Sequence, residues 1–178
     1  MQYDALEDNP EIDLCSHGGV KVNIDGETIG TVCPFNRTKI VSTASVIRGG
    51  GGFVLTSSLM YRTNIRNTEL KFYNFLNFDY TLQILGSLRG GMLFLPKLMS
   101  AYRVNVPGSW TLRVSKNYEN RKTINNKILK MYDLLSEETG GRYDFAMMLP
   151  KLKIYINNNK LLFNVLNFCK KYFKVLSV

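Results

Sequence analysis

Histidine, cysteine and long apolar runs are scarce in this chain of 178 residues, and each shortage excludes a class of protein. Because His17 is the single histidine, a zinc site of the His/Cys type is poorly supported. The three cysteines, Cys15, Cys33 and Cys169, are widely spaced; an odd number without a secretory signal predicts reduced thiols in a cytosolic compartment. No apolar run reaches about 18 residues, so the sequence predicts no membrane-spanning helix.

Acidic side chains are also scarce over most of the chain. Residues 1–36 hold seven acidic side chains and one basic one, whereas residues 37–178 hold 22 basic and seven acidic ones. Such a basic segment favours a polyanionic neighbour: a membrane surface, a nucleic acid or a sugar phosphate. A solvated face of lysines is the simpler interpretation, and the lack of any recognisable nucleic-acid module in the sequence argues against nucleic acid.

Apolar and aromatic residues are plentiful, at 45% hydrophobic with 10 Phe and 10 Tyr, which is enough for one domain with a genuine core. Strands alternate with helices and are then followed by helices alone. This order indicates an α/β fold followed by an α-helical C-terminal tail. We predict helices at 1–8, 43–48, 79–88, 115–138, 143–157 and 160–176, and strands at 14–24, 27–32, 53–61, 92–95 and 98–104.

Asp79 is the strongest catalytic candidate in the sequence. Phe78 and Tyr80 flank it, and partial desolvation by these rings would make its carboxylate a better general base. The alternative is an aspartate that stabilises the first turn of a helix by capping and by its interaction with the helix dipole. Local features alone favour this second, commoner role.

The four consecutive glycines Gly49 to Gly52 permit close backbone approach and could shape a substrate loop. A plain connecting loop is the simpler interpretation, because no Gly-Lys-Ser/Thr follows and the run is therefore not a phosphate-binding loop. Trp110, after Pro107-Gly108-Ser109, either stacks on a sugar ring or anchors its own loop.

Three other features have structural interpretations. His17 alternates with Cys15 on a predicted strand, which favours a core-facing histidine. Residues 11–13 are predicted to form a solvated turn rather than a site for a metal-bound diphosphate. Residues 160–176 have the pattern of a basic amphipathic helix, which either lies on an anionic membrane or packs on its own domain.

Short motifs in a fixed order are more specific than any one of them. The series is Leu6-Glu7-Asp8-Asn9-Pro10-Glu11, Leu14-Cys15-Ser16-His17, Asp25-Gly26, Gly49-Gly50-Gly51-Gly52-Phe53, Thr56-Ser57-Ser58-Leu59-Met60-Tyr61-Arg62, Asp79-Tyr80, Met99-Ser100-Ala101-Tyr102-Arg103-Val104-Asn105 and Pro107-Gly108-Ser109-Trp110-Thr111. It covers roughly residues 1–140 and resembles the C-terminal half of a bacterial glycosyltransferase of family 2, an inverting enzyme of the GT-A type.

The resemblance implies transfer of a sugar from a nucleotide-diphosphate donor to a hydroxyl of a glycan or lipid-linked acceptor, with a divalent metal (Mg or Mn), in polysaccharide biosynthesis of the cell envelope. Asp79 would be the general base. Residues 1–112 would form the acceptor-side half of a GT-A-like domain, an α/β fold with a partial GT-A-like mixed sheet and flanking helices. Residues 113–178 would form a helical C-terminal extension. The implied substrate-binding positions are Gly51, Gly52, Phe53, Thr56, Tyr102, Arg103 and Trp110.

The resemblance also indicates what the chain lacks. The family carries its nucleotide-binding strands and an Asp-x-Asp metal motif in a first half that this sequence does not contain, and Asn105 stands where many relatives have a histidine. We therefore predict no metal ligand in this chain, no transferase activity of the chain alone, and a partner that supplies the other half. The predicted location is cytoplasmic. Residues 160–178 either pack on their own domain, the simpler interpretation, or make peripheral contact with the inner face of the cytoplasmic membrane. The alternative function is a non-catalytic binding or scaffold module derived from such an enzyme.

Overall fold

The computed structural model describes residues 1–76, 78–109 and 118–159. A five-stranded mixed sheet contains β1 (Leu14–Val22), β2 (Thr28–Val32), β3 (Lys39–Val41), β4 (Met60–Tyr61) and β5 (Met92–Arg103). The α-helices in these ranges are α1 (Gln2–Glu7), α2 (Thr43–Gly49), α3 (Lys71–Phe75), α4 (Asp79–Ser87), α5 (Tyr118–Glu138) and α6 (Asp144–Asn158). The predicted α/β class with a mixed sheet and flanking helices is confirmed.

The parallel pair β1 and β5 lies at the centre of the sheet, with β2 beside β1 and β3 beside β5. Alternate residues of a strand face opposite sides of the sheet. Accordingly Leu14 and Phe94 join the main core on one face, whereas Cys15 and Leu93 pack with α1 on the other. Parallel strands need this cover on both faces, and it explains their near-continuous apolar sequences.

β5 is one continuous strand, so the prediction of two strands around Pro96 was wrong. Its pairing with β1 moves from His17 opposite Leu95 to Gly18 opposite Leu98, which leaves Pro96 and Lys97 as a bulge. A proline lacks the N–H that a ladder needs, and a bulge accommodates it without ending the strand. His17 is buried here as predicted, and its Nδ1–H donates to the Gly18 carbonyl at 2.7 Å.

The segment 53–61 is not the predicted buried strand. It contains a 3-10 turn at Thr56–Ser58, and only Met60–Tyr61 pairs with β1. The physical reason lies in local hydrogen bonds, because the hydroxyl and the N–H of Ser58 both donate to the Leu55 carbonyl, at 2.6 and 2.9 Å, and close a turn. This turn places Thr56 beside the start of α4.

α5 and α6 share the main core with the sheet. α5 packs on α3 and α6 on α2, and Met131, Leu135 and Met147 are fully buried in the same cluster. The predicted helix at 160–176 lies outside the described residues. Within the described ranges, no helix combines the length and the apolar character needed to cross a bilayer.

An ion pair fixes the turn before β1 to the end of α4. Asp13 is 6% exposed, and its two carboxylate oxygens accept hydrogen bonds from Arg89 Nε at 2.9 Å and Nη2 at 2.5 Å. The hydrogen bonds to Asp13 raise the pKa of the Arg89 guanidinium above its ordinary value. The prediction of a solvated turn at 11–13 was therefore wrong at Asp13, whose partner is 76 residues away in the sequence.

Candidate functional site

A cavity of about 630 Å³ opens between the start of α4, the glycine run after α2, and the facing sides of α5 and α6. Ile128 of α5 and Ile154 of α6 give it an apolar wall. Arg48, Asp79 and Lys153 are the charged groups of its lining. The cavity thus combines an apolar side with groups that can bind or deprotonate a polar ligand, as small-molecule sites commonly do.

Asp79 is the first residue of α4 and lines this cavity with an exposed carboxylate. Its Oδ2 accepts a hydrogen bond from the Thr56 hydroxyl at 2.7 Å. Two of the predicted site residues, 23 positions apart, are therefore in direct contact. The expected desolvation by Phe78 and Tyr80 is not found, because the carboxylate faces the open cavity rather than the core.

The Asp79 side chain does not cap its own helix. No side-chain hydrogen bond from the N-cap position or from Asp79 satisfies the first turn. Instead the Thr81 hydroxyl accepts from the Phe78 N–H at 2.9 Å. The carboxylate is thus available for a ligand, while the positive end of the helix dipole still stabilises its charge.

The glycine run brings backbone to the other side of the cavity. Ser42 caps α2 as predicted, with its side chain accepting from the Ser45 N–H at 3.3 Å, and the helix ends at Gly49. Gly50 has a φ of 69°, which side chains rarely adopt, and a Cβ on Gly49 would stand 2.5 Å from the Phe53 ring. Gly49, Gly50 and Gly51 line the cavity, so this part of the predicted loop lies with Asp79.

A buried pair of tyrosines forms the floor of the cavity, and the sequence analysis missed it. The Tyr80 hydroxyl donates to the Ile47 carbonyl at 2.8 Å, so its oxygen accepts from the Tyr132 hydroxyl 2.7 Å away. This chain of hydrogen bonds joins α2, α4 and α5. Burial raises the pKa of both phenols, that of Tyr132 to about 12. The available signal was the position of Tyr132 next to Met131 on the apolar face of a predicted helix.

We expect this pair to make the protein less stable at alkaline pH. Below pH 10 both phenols are neutral whether the chain is folded or not; between 10 and 12 only the unfolded chain loses the Tyr132 proton. The free energy of unfolding should then fall by roughly 1.4 kcal/mol per pH unit for each buried phenol. Urea unfolding between these pH values should show a shallower fall for Tyr132→Phe than for wild type. Tyr3→Phe, at an exposed ring, serves as control, and equal slopes in all three proteins would contradict the assignment.

The other predicted site residues lie elsewhere. Gly52 follows the part of the loop that lines the cavity, and Phe53 packs edge-on against Phe35 with ring centroids 6.0 Å apart. Tyr102 and Arg103 end β5 and do not line the cavity; Arg103 Nη1 donates to the Ile24 carbonyl at 3.3 Å. Trp110 lies outside the described residues.

The residues at this site do not by themselves fit a divalent metal. Mg²⁺ and Mn²⁺ prefer several oxygen ligands. Asp79 is the one carboxylate on the cavity lining, and the described part of the chain contains no group of three His, Cys, Asp or Glu side chains that could hold a metal ion.

Comparison with known proteins gives no match: no family model fits the chain, and no curated protein or solved structure is significantly similar to it. The resemblance to family-2 glycosyltransferases therefore rests on the ordered motifs of the sequence. The fold is mixed α/β.

Proposed function

We propose that this chain forms the acceptor side of an inverting sugar-transfer site of the family-2 glycosyltransferase type, with Asp79 as the general base. The observation that carries the proposal is the exposed Asp79 carboxylate on a cavity of about 630 Å³, with the Thr56 hydroxyl bonded to one of its oxygens. The Thr56 bond fixes the orientation of one oxygen and leaves the other free for a ligand. A general base needs this combination of access and fixed geometry.

In the proposed reaction, an acceptor hydroxyl enters the cavity and donates a hydrogen bond to the free oxygen of Asp79. The hydroxyl oxygen attacks the anomeric carbon of the donor sugar while the bond to the nucleoside diphosphate breaks. The proton passes to Asp79, and the leaving group carries away the bonding electrons. Attack from the face opposite the leaving group inverts the configuration.

The cavity wall favours one of the two acceptor classes that the resemblance allows. Ile124, Ile128 and Ile154 present apolar surface to the ligand. A glycan without a lipid would leave that apolar surface exposed to water. A lipid-linked acceptor would bury it, which contributes roughly 25 cal/mol of binding free energy per Å² of apolar area. We therefore propose a lipid-linked acceptor hydroxyl.

A non-catalytic scaffold would fit better if Asp79 were buried, ion-paired and without a cavity. Asp79 is instead exposed on a cavity, and no ion pair of the described residues includes it. Arg48 and Lys153, on the same lining, also form no ion pair with a carboxylate of the described ranges. Three charged groups that the described part of the chain leaves without ion-pair partners, around an apolar wall, favour ligand chemistry over a purely structural surface.

A transfer assay tests the proposal. The chain would be incubated with nucleotide sugars, Mn²⁺ and lipid-linked acceptors, alone and together with a nucleotide-binding half that carries an Asp-x-Asp motif. We expect no turnover by the chain alone and transfer with inverted configuration by the combination. Robust turnover by the chain alone would contradict the need for a second half. A combination that hydrolyses the donor but never transfers to an acceptor would contradict the acceptor-side assignment.

A further inference from the structure

The cavity that contains Asp79 also carries two basic side chains that have no part in the proposed proton transfer. Arg48 lies in the last turn of α2, and Lys153 lies on α6. Because α2 and α6 pack against each other, the two cations reach the cavity from adjoining walls. Both residues are exposed, and no ion pair of the described residues includes either of them. We call Arg48 and Lys153 the cationic pair.

A backbone donor lies beside the cationic pair. Gly51 lines the same cavity, and within residues 1–76, 78–109 and 118–159 its N–H donates to no protein acceptor. Because Gly49, Gly50 and Gly51 lack side chains, a ligand can approach this backbone closely. A guanidinium, an ammonium and a backbone N–H are thus open to one ligand, and all three groups are donors without acceptor capacity.

These donors indicate a phosphate group rather than a carboxylate. A phosphate monoester carries about 1.5 to 2 negative charges at neutral pH and three acceptor oxygens, which suits two cations and an N–H that approach from different elements. Guanidinium groups also bind phosphate through two parallel hydrogen bonds. A carboxylate has one charge and two oxygens, so it would leave part of this donor set without a partner.

The rest of the lining indicates what carries the phosphate. Ile124, Ile128 and Ile154 form an apolar wall in the same cavity of about 630 Å³. Inorganic phosphate would leave this wall exposed to water, and the ribose and phosphates of a nucleotide would bury it poorly. A hydrocarbon chain attached to the phosphate would bury it well.

We propose that the cavity binds a phosphorylated lipid, with its phosphate at the cationic pair and its hydrocarbon chain along the apolar wall. This names the ligand class of the cavity already described, and it rests on the proposed function only for the role of the lipid as acceptor. Asp79 is the single acidic side chain of the lining, so it repels the phosphate and is left for a hydroxyl of the same ligand.

Calorimetric titration of the full chain tests the proposal. The probes are octyl phosphate below its micelle concentration, octanoate, inorganic phosphate and a nucleoside diphosphate. The double variant Arg48→Gln/Lys153→Gln removes both cations. The matched control, Arg66→Gln/Lys151→Gln, makes the same change of charge outside the cavity: Arg66 is exposed, and Lys151 is on the same helix as Lys153 but pairs with Asp133 at 2.7 Å.

We expect wild type and the control to bind octyl phosphate at least about tenfold more tightly than octanoate or inorganic phosphate, and the double variant to lose at least about tenfold. Binding should weaken as salt rises. No binding of octyl phosphate by wild type, or an equal loss in the control, would overturn the proposal. Equal binding of octanoate would show that the site does not select phosphate, and tighter binding of the nucleoside diphosphate would assign the cations to a donor; either result would also overturn it.

Asp79→Asn separates this proposal from the proposed function. Because the change removes a negative charge from the lining, the variant should bind octyl phosphate at least as tightly as wild type; a tenfold loss would contradict the assigned arrangement. If the double variant loses octyl phosphate while Asp79→Asn leaves sugar transfer intact, the lipid site stands and the general base does not. If the double variant binds normally while Asp79→Asn abolishes transfer, the base stands and the lipid site does not.

Discussion

Asp79→Asn should reduce sugar transfer by about 100- to 10,000-fold, the usual contribution of a positioned general base. In the wild type the Thr56 hydroxyl donates to Asp79 Oδ2 at 2.7 Å. Asparagine keeps the shape of the side chain and can still accept this hydrogen bond, but it cannot take up a proton from the acceptor. The measurement is the initial rate of transfer by the chain combined with a nucleotide-binding half. Acceptor binding, measured separately by calorimetry, should change little.

Asp144→Asn is a close control for this change. Asp144 also begins a helix, is exposed, and accepts a hydrogen bond from a hydroxyl, that of Ser136 at 2.6 Å. It lies outside the cavity. Both variants lose the interaction of a carboxylate with a helix dipole, about 0.3–1 kcal/mol of stability. Equal loss of transfer in the two variants would show that Asp79 acts through the fold and not as a base.

Thr56→Val separates orientation from proton transfer. It removes the hydroxyl that fixes one oxygen of Asp79 but leaves the carboxylate itself in place on the cavity. We expect a loss of about tenfold, in keeping with the roughly 1 kcal/mol typical of one hydrogen bond. A loss as large as that of Asp79→Asn would give Thr56 a direct part in the reaction.

Local signals in the sequence were enough to predict the helices that build the site. Ser42 and the glycines that follow mark both ends of α2, and the leucine spacing after Asp79 marks α4. These features depend on neighbouring residues only, because caps and helical periodicity act within a few positions. The α/β class followed from the strand–helix order in the same way.

The features of the site that could not be predicted from the sequence depend on contacts between distant residues. The Glu138 carboxylate accepts hydrogen bonds from the Lys71 and Phe72 N–H groups at 2.7 and 3.0 Å, and so caps α3 from the end of α5. Tyr80 and Tyr132 meet across 52 residues. Such pairs depend on which helices pack together, and no local pattern contains that information. The exposure of Asp79 could not be predicted for the same reason, because it depends on how α5 and α6 pack around the cavity.

Gly90→Ala should be among the most destabilising single substitutions in the chain. Gly90 lies between α4 and β5 and has a φ of 77°, a backbone conformation that costs an alanine about 1–2 kcal/mol. A Cβ there would also overlap the carbonyl oxygen of Glu11, which is backbone and cannot rotate away. We expect a total loss on the order of 3 kcal/mol or more, a large share of the 5–15 kcal/mol typical of a domain.

Gly26→Ala separates the two causes of this loss. Gly26 has a φ of 90° in the hairpin between β1 and β2, and a Cβ on it would meet no atom within 4 Å. It should therefore show the backbone cost alone, about 1–2 kcal/mol. Urea unfolding followed by circular dichroism measures both variants. Since the Gly90 turn holds α4 against the segment before β1, only Gly90→Ala should also displace Asp79 from Thr56. Equal losses in the two variants would mean that the Glu11 backbone yields, and that the turn does not fix the position of the catalytic candidate.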